Sequence, residues 1–486
     1  MSDTELLEKI QEAIDFGLQA GSKLGVIECE GFGLYNRSFN FAIEKDKPKH
    51  NLGINHGVAF RVFHNNAIGF AFTSSLNKED IEQTVKLAFQ TAKAQKADPD
   101  LQGFAGKAEP NGSLPLDKQL FAMDPDYAAS NFEQLLNYDL PKDVYFLQAG
   151  GMYTATELFL KNSNGLDIHE RDAAYGVFIA FLSTHGFPTF DFHFKGARQW
   201  GKLDPSAVAQ KAIEKTLASS APKTLNVASE LPVIFTPDAT YGIMGGLFYV
   251  LTTLLRGDKA SRGETPYSDK IGEEIAAEGF TLIDDPLHPN LFFSATFDGE
   301  GTPTQRTALI DKGILQTYYL DRYYAKKLNM ESNGKAVRGG GMFGGNPVQS
   351  PPSIGSFNTV IEPGDASVEE MIAETREGFM IKSVMGVHMS DFSSGRFAVT
   401  GSGWYIKNGE KKFAVQDITL ASTIPELLLN IDMISKEREH GINSLVPYLR
   451  VSKVKVTSKK LDLTVRLGYK LLKLLMKLKI IKNPFI

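Results

Sequence analysis

The sequence predicts an α+β protein, with helices and a hairpin in an N-terminal α/β domain and a strand-rich C-terminal domain. A chain of 486 residues, 42% of them hydrophobic, is long enough to form more than one packed core. Its 44 Gly and 22 Pro, together with 33 Phe and 16 Tyr, indicate many turns and much sheet. Amphipathic helical stretches and strand-like runs both occur along the chain, which favours a mixed class.

The first domain is predicted over residues 1–100. Residues 3–20 place apolar side chains on one helical face, namely Leu6, Ile10, Ala13, Ile14 and Leu18. Two strand-like runs follow, and "GVAFRVFHNNAIGFAFTS" then alternates on both sides of His64-Asn65-Asn66, as a β-hairpin does. Asn77 is the predicted cap of the next helix, which has acids in its first turn and lysines late.

A central domain or linker region is predicted over residues 101–225, and a β-rich domain over residues 226–449. Residues 98–143 are rich in Pro, Asp, Gly and Asn, which is typical of a connection with short helices. Two strands joined by an Asn-Ser-Asn-Gly turn come next, and Asp204-Pro205 begins a helix. From "LPVIFTP" onward the chain is mostly strand punctuated by turns.

Composition limits the function. Cys29 is the only cysteine, so a disulfide within the chain and a multi-cysteine zinc site are both excluded. No signal peptide and no run of about 18 uncharged apolar residues is present, which predicts a cytoplasmic protein. Basic patches interleaved with aromatic residues are absent from the body of the chain, so no nucleic-acid partner is expected.

Residues 450–486 form a basic amphipathic tail with eleven basic residues and a single acid, Asp462. In "LDLTVRLGYKLLKLLMKLKII" the charged residues follow a narrow stripe beside a broad apolar surface. Such a helix can pack on its own domain, dock on a partner or lie on an anionic membrane surface, and these alternatives stay open.

The stretch "GIMGGLFYVLTTLLRGD", Gly242 to Asp258, has no ionised side chain over two turns. Apolar residues surround it on nearly every side, which predicts a buried core helix with a close backbone approach at Gly245-Gly246. Phenylalanine, tyrosine and threonine there offer no imidazole, thiolate or carboxylate ligand to zinc.

The blocks around this helix resemble the TldD/PmbA family, once called modulators of DNA gyrase and grouped with metallopeptidases. The most specific is "FDGEGTPTQRTALIDKGILQTYYLDRYYAKKLNM"; "FAVTGSGWYIKNGEKKFAVQDITLA" and the hairpin-helix block near the N-terminus are also similar. The resemblance covers most of residues 1–440 and implies a curved antiparallel sheet in the C-terminal domain.

In the metal-bearing branch of that family, an HExxxH motif precedes the "GD" pair. Counting back from Gly257-Asp258 places its two histidines and its glutamate at Phe248, Thr253 and Tyr249, respectively. The resemblance therefore implies a PmbA (TldE)-like member without the zinc motif, whose partner is a TldD-like, HExxxH-bearing subunit. The pair would enclose a cavity for unfolded or extended peptides, including leader peptides. No catalytic residue, cofactor or metal is assigned to this chain.

Three other stretches contain residue types that could form a site. The densest ligand-like groups, His169 to Asp172 and His388 to Asp391, are expected to be turn or strand-edge clusters. Asp284-Asp285-Pro286 resembles a carboxylate pair but is more typical of a turn at a strand end. The glycine-rich "RGGGMFGGNP", Arg338 to Pro347, lacks the lysine and hydroxyl of a phosphate loop and is expected to be a mobile loop near the cavity mouth.

The sequence thus favours the metal-free subunit of a heterodimeric zinc metallopeptidase that processes peptides. One alternative is a stand-alone peptide-binding or scaffold protein, with a peripheral membrane contact through the tail. A second alternative is a metallopeptidase with a relocated metal site.

Overall fold

The computed structural model describes residues 3–44, 47–186, 188–242, 246–339 and 345–459. Its helices are α1 (Asp3–Lys23), α2 (Lys78–Ala94), α3 (Lys118–Phe121), α4 (Pro125–Glu133), α5 (Pro205–Ala218), α6 (Pro237–Tyr241), α7 (Tyr249–Leu254), α8 (Gly257–Ser261), α9 (Arg322–Lys327), α10 (Val368–Ala373) and α11 (Ile424–Leu429). Short 3-10 turns lie at Gln134–Leu136, Pro347–Gln349 and Val387–Met389.

The strands of the N-terminal half are β1 (Glu28–Glu44), β2 (Lys47–His64), β3 (Ala67–Thr73), β4 (Val144–Asn162), β5 (Asp167–Ser183) and β6 (Thr189–Ala197). The strands of the C-terminal half are β7 (Val227–Phe235), β8 (Leu282–Asp284), β9 (Thr307–Asp311), β10 (Ile314–Leu315), β11 (Ala336–Val337), β12 (Ser353–Ile354), β13 (Thr359–Ile361), β14 (Glu377–Met385), β15 (Arg396–Lys407), β16 (Glu410–Thr423), β17 (Ile431–His440) and β18 (Ser444–Ser458).

The N-terminal half is built on one six-stranded sheet in the order β3-β2-β1-β4-β5-β6. All its pairings are antiparallel. Because β1 pairs with both β2 and β4, the two regions separated at residue 100 in the sequence contribute strands to the same sheet.

Helices cover one face of this sheet at both ends. At one end α1 and α2 bury Ile10, Ile14, Val85 and Ala88 against Phe60 of β2. At the other end α3, α4 and α5 pack over β1, β4 and β5, in a core with large aromatic side chains at its centre. The apolar periodicity of each helix faces the sheet, as amphipathic helices do.

Local sequence signals explain how these elements begin and turn. The Asn77 side chain accepts a hydrogen bond from the backbone N–H of Asp80 and so caps α2, as predicted. Asn65 and Asn66 join β2 to β3 with φ values of 49° and 55°, the left-handed conformation that a two-residue hairpin turn requires. Asp204 caps α5, whose first residue is Pro205.

The C-terminal half contains a larger sheet that closes on itself. Along β7-β14-β15-β16-β18 each strand pairs with the next, and β18 also pairs with β7, which forms a barrel. Pairings are antiparallel except β7 with β14 and β13 with β18. The boundary drawn between residues 449 and 450 falls inside β18, since this strand runs to Ser458.

The barrel shares one core with the helices at its end, including α7 and α11. Phe235, Phe379, Ile418 and Leu449 line this core from separate strands. Among the described residues, no helix is long and apolar enough to cross a membrane. Residues 460–486, which carry most of the predicted tail helix, lie outside the described part of the chain.

Candidate functional site

The stretch from Gly242 to Asp258 is not one continuous helix, so that prediction was wrong. Helix α6 ends at Tyr241, and α7 and α8 are separate short helices after it. Gly246 lies against the last turn of α6, since a Cβ on it would lie 2.0 Å from the carbonyl oxygen of Thr240. Glycine at this position permits the close backbone approach that the sequence predicts at Gly245-Gly246. Gly245 lies outside the described residues.

The family resemblance assigns HExxxH to Phe248, Tyr249 and Thr253, and these three side chains point in different directions. Phe248 is 1% exposed and meets the rings of Tyr241 and Phe280 edge-on, at centroid distances of 5.7 and 6.2 Å. Tyr249 is 61% exposed. The Thr253 hydroxyl donates a hydrogen bond to the backbone oxygen of Tyr249 at 3.1 Å. These side chains do not fit zinc, because they lack its ligand types and do not converge on a point.

An exposed apolar patch extends outward from α7. Tyr249 contacts Phe392 edge-on at 6.1 Å. Met385, the last residue of β14, and Met389, in the short turn after it, are 67% and 73% exposed. Large apolar side chains exposed together in this way are typical of surfaces that bind another molecule. We call Tyr249, Met385, Met389 and Phe392 the α7 patch.

A groove of about 830 Å³ adjoins the α7 patch through Met389. Its walls come from β7, β15, β16, β18 and α11, and its lining residues are Glu230, Met389, Asp391, Arg396, Phe397, Ala398, Ala421, Ser422, Thr423, Glu426, Asn430, Lys453 and Lys455. The α7 patch and this groove together form the candidate site.

Two acids of the groove are already engaged by local donors. Asp391 accepts hydrogen bonds from the backbone N–H groups of Ser393 and Ser394 and from the Ser394 hydroxyl, and these lower the pKa of Asp391. Glu426 accepts from the backbone of Thr423 in the capping box of α11. Glu426 also accepts from the Ser422 hydroxyl, at 3.1 Å. The groove therefore combines mixed charge with apolar surface.

The ligand-like clusters predicted to be structural do not form metal sites. His169 lies on β5, with its Nε2 2.6 Å from Glu157 and its ring stacked on Phe159. The next residue, Glu170, accepts a hydrogen bond from the backbone N–H of Thr296, which lies in the C-terminal half of the molecule. His388 is exposed on a short turn. Within the described ranges, no three His, Cys, Asp or Glu side chains are grouped to hold a metal ion.

Asp284 ends a strand, as predicted, but its role is not that of a turn residue. It is 0% exposed and lies 2.7 Å from the ammonium of Lys335, which is also 0% exposed. The Phe357 backbone N–H donates to the other carboxylate oxygen at 2.9 Å. Burial raises the pKa of Asp284, and the Lys335 charge opposes that rise. Sequence reasoning missed this pair because nothing near Lys335 marks it as buried.

A buried charge cluster joins the two halves of the molecule, and it includes Arg338 at the start of the glycine-rich stretch. Arg61 donates to both carboxylate oxygens of Glu30, at 2.7 and 2.8 Å. Arg338 donates to one of those oxygens at 2.8 Å and lies over the ring of Phe32. Residues 340–344 of the predicted mobile loop lie outside the described residues. The interdomain charge cluster comprises Glu30, Arg61, Asp298, Glu300, Asp321 and Arg338.

Two carboxyls of this cluster titrate near neutral pH. Burial, and next the charge of Glu300, raise the pKa of Asp298 and of Asp321 to about 7 each. Backbone N–H donors to Asp298, from Glu300, Thr302 and Ala336, favour its charged form but do not offset burial. Both carboxyls lie beside Glu300, which pairs with Arg61 of the N-terminal half.

Comparisons with known proteins agree with this architecture. A family model described as the PmbA/TldA metallopeptidase C-terminal domain matches residues 228–458, and one described as PmbA/TldA metallopeptidase domain 1 matches residues 29–92. The chain is 24% identical over 481 residues to the metalloprotease PmbA homolog of Haemophilus influenzae, covering 94% of this chain and 96% of that protein. It is 26% identical over 406 residues to metalloprotease PmbA of Escherichia coli, covering 79% and 82%.

A solved structure gives the same fold. TldE from Thermococcus kodakarensis matches with a TM-score of 0.80 and 25% identity, over 92% of this chain and 100% of that chain. The fold and the matching family models together define an α+β protein of the metallopeptidase-like class, and the predicted fold class is confirmed. The chain belongs to the PmbA/TldD family, and the resemblance seen in the sequence is confirmed.

Proposed function

We propose that this chain is the metal-free, TldE-type subunit of a heterodimeric zinc metallopeptidase that processes unfolded or leader peptides. The observation that carries the proposal is the side-chain chemistry at and just before α7, where Phe248, Tyr249 and Thr253 occupy the positions that the family resemblance assigns to the motif. Similarity to a TldE structure and to PmbA proteins supports the same assignment. The catalytic zinc would then belong to a TldD-like partner.

The α7 patch and its groove suit a non-catalytic wall for a peptide. An extended peptide can insert apolar side chains among Met385, Met389 and Tyr249, and methionine adapts its shape to different side chains. Mixed charge in the groove sets no strong preference for one sign of substrate charge. A wall of this kind needs no acid, base or nucleophile of its own.

The proposal is tested by co-expression with an HExxxH-bearing relative from the same genome. We expect the two chains to co-purify and to cleave an unstructured peptide, whereas this chain alone does not. Replacing two exposed patch residues, as Tyr249→Ser with Met389→Ser, should lower cleavage or pairing at least several-fold. The matched control is Leu87→Ser with Leu217→Ser, which changes two exposed leucines on α2 and α5, away from the patch.

The alternatives predict different outcomes. A stand-alone peptide-binding protein would bind unfolded peptide without an HExxxH partner and with no cleavage in either setting. A relocated metal site would give one metal ion per chain and chelator-sensitive cleavage by the isolated chain, which would overturn the proposal.

We infer a cytoplasmic setting, because a lone cysteine suits a reducing compartment. Cys29 is buried, and burial raises its pKa to about 12, which leaves it unreactive. The basic amphipathic tail, residues 450–486, is the basis of a separate hypothesis, in which the protein contacts a membrane surface peripherally. Deleting residues 459–486 and comparing flotation with anionic liposomes tests it, and failure of the full-length chain to float would end it.

A further inference from the structure

One side of β2 has no neighbouring strand over residues 47–57, within the part of the chain that the structure describes. Strand β2 pairs with β1 from residue 47 to residue 63, whereas β3 covers its other side only from residue 58 to residue 64. The backbone groups at such an edge are available to pair with an added strand. We call residues 50–56 the open β2 edge.

The register shows which residues of the open β2 edge direct their backbone groups outward. His64 and Ala67 flank a two-residue turn and therefore form a hydrogen-bonded pair. Such pairs alternate along an antiparallel strand, so even-numbered residues of β2 bond toward β3 and odd-numbered residues bond toward β1. The pairing of β1 with β2 runs without a register shift. The residues whose N–H and C=O groups face outward beyond β3 are therefore His50, Leu52, Ile54 and His56.

The open β2 edge also places apolar side chains where an added strand would cover them. Leu52 and Ile54 are 51% and 50% exposed. Paired residues of neighbouring strands keep their side chains on the same face, so residues opposite these two would pack on them. His56, at one end of the edge, also lines a groove of about 410 Å³ between α1 and α2. The apolar residues of this groove are Leu6, Ala13, Phe16, Leu76 and Ile81.

The charges around the edge and the groove are mostly positive. Residues 47–56 of β2 contain two lysines and no acid, and β1 supplies Glu44 opposite Lys47 at the far end. The groove contains two lysines and one acid, namely Lys9, Lys78 and Glu12. Opposite charges on neighbouring strands stabilise their pairing, and like charges oppose it. An acidic strand therefore suits this edge better than a second copy of this chain.

We propose that the open β2 edge binds an extended acidic peptide as an added strand, with apolar residues at alternate positions. The peptide backbone bonds to the four outward-facing residues, and its apolar side chains cover Leu52 and Ile54. Pro48 has no N–H to donate, so it limits the edge at its other end. The choice of an unfolded peptide as the ligand rests on the proposed function, but this site belongs to the N-terminal half and the α7 patch to the C-terminal half.

Peptide binding to the isolated full-length chain is the first test. The probe is a fluorescent octapeptide of alternating valine and glutamate. One comparison peptide has lysine in place of glutamate, and the other has N-methyl groups on the valines, whose N–H groups would face β2. We expect the probe to bind about ten-fold more tightly than either comparison peptide. Equal binding of the three peptides, or no binding of the probe, would overturn the proposal.

A substitution at residue 54 tests the backbone contact directly. Ile54→Pro removes one outward N–H but no bond to β1, since the backbone of residue 54 faces the open side. We expect Ile54→Pro to weaken binding of the probe about ten-fold. The matched control is Ile54→Val, which keeps the N–H and an apolar side chain and should bind the probe as the parent protein does.

Hydrogen exchange provides a readout that needs no variant. The probe should slow exchange of the N–H groups of the four outward-facing residues and leave the odd-numbered residues between them unchanged. Concentration-dependent protection of the same four groups without peptide would place a second copy at the edge and overturn the proposal. Binding that is lost in Tyr249→Ser with Met389→Ser but kept in Ile54→Pro would place the peptide on the α7 patch. That result would overturn this inference and leave the proposed function intact.

Discussion

Asp284 and Lys335 show how a single buried contact can hold distant parts of the chain together. The ammonium of Lys335 also donates to the backbone oxygen of Gln305, at 2.9 Å. The pair thus connects β8, the segment before β9 and the segment before β11. A buried ion pair of this kind adds modest net stability, but loss of one partner leaves the other charged and unpaired.

Lys335→Met should therefore destabilise the protein by about 3–5 kcal/mol, since it leaves the Asp284 carboxylate without its partner. Chemical denaturation measures the loss. The control is Lys270→Met, which breaks an exposed contact with Glu273 and should cost less than about 1 kcal/mol. Equal effects of the two substitutions would contradict the role given to the buried pair.

Residue chemistry at α7 also predicts that substitution alone cannot create a zinc site at the positions that the resemblance assigns to the motif. Phe248→His with Tyr249→Glu and Thr253→His supplies the ligand types, yet position 248 faces the core and position 249 faces solvent. We expect no stoichiometric zinc and a loss of about 2–4 kcal/mol, most of it from Phe248→His, which places a polar ring in an aromatic core.

Metal analysis and denaturation of that triple variant provide the measurement. Tyr249→Glu alone is the control, and it should leave the folding stability nearly unchanged because its side chain is exposed. Tight zinc binding by the triple variant would show that position 248 can rotate out of the core.

At the scale of elements, the sequence predicted helix starts and turns that are formed by interactions between neighbouring residues. The cap at Asn77, the helix start at Asp204-Pro205 and the Asn65-Asn66 turn were predicted, because each depends on a few neighbouring residues. The separation of α6, α7 and α8 was missed, since the apolar pattern that predicted one helix does not mark where these helices end. The contact of Arg338 with Glu30 spans 308 residues, and no periodicity of the sequence encodes such a partner.

Packing of α2 on β3 gives a prediction at this scale. A Cβ on Gly69 would lie 1.8 Å from the Ala88 carbonyl oxygen and 2.5 Å from the Ala92 nitrogen, both backbone atoms. Gly69→Ala must push the helix away from the strand, so we expect a loss of about 1–3 kcal/mol or more. Denaturant unfolding of Gly69→Ala and Gly106→Ala measures it, because a Cβ on Gly106 meets nothing within 4 Å. Similar stabilities would contradict this account of the helix–strand contact.

At the scale of the whole molecule, the two halves meet through contacts of opposite character. Phe297 and Val348 from the C-terminal half pack against the apolar cluster of Phe32, Leu34 and neighbouring residues. The interdomain charge cluster lies beside it, where Arg61 and Arg338 face Glu30 and Glu300, and where Asp298 and Asp321 add two carboxyls beside Glu300. Full ionisation of those carboxyls would leave net negative charge buried between the halves, which favours protonation of some of them.

Stability should therefore fall as pH rises through neutrality. Folding raises the pKa of Asp298 and Asp321 from 3.8 to about 7, so the folded state binds more protons than the unfolded state between those values. Their stabilising contribution is complete below the unfolded pKa and is lost as pH rises through the folded pKa. Burial lowers the pKa of His193 from 6.5 to about 4. His193 therefore makes stability rise with pH, but only below its ordinary pKa of 6.5.

The informative window is thus about pH 6.5 to 8, where the carboxyls dominate these opposing effects. We expect the melting temperature to fall across it, with a smaller fall in Asp321→Asn, which keeps the cap on Tyr324 N–H but carries no charge. The exposed carboxylate variant Asp126→Asn should follow the parent protein. The cluster bridges the two halves, so a protease that cuts the chain between the halves should cleave the parent protein faster at the alkaline end of this window. The increase in the cleavage rate should be smaller in Asp321→Asn. A melting temperature that rises over this window, or an Asp321→Asn profile parallel to that of the parent, would show that the two halves dock independently of these carboxyls.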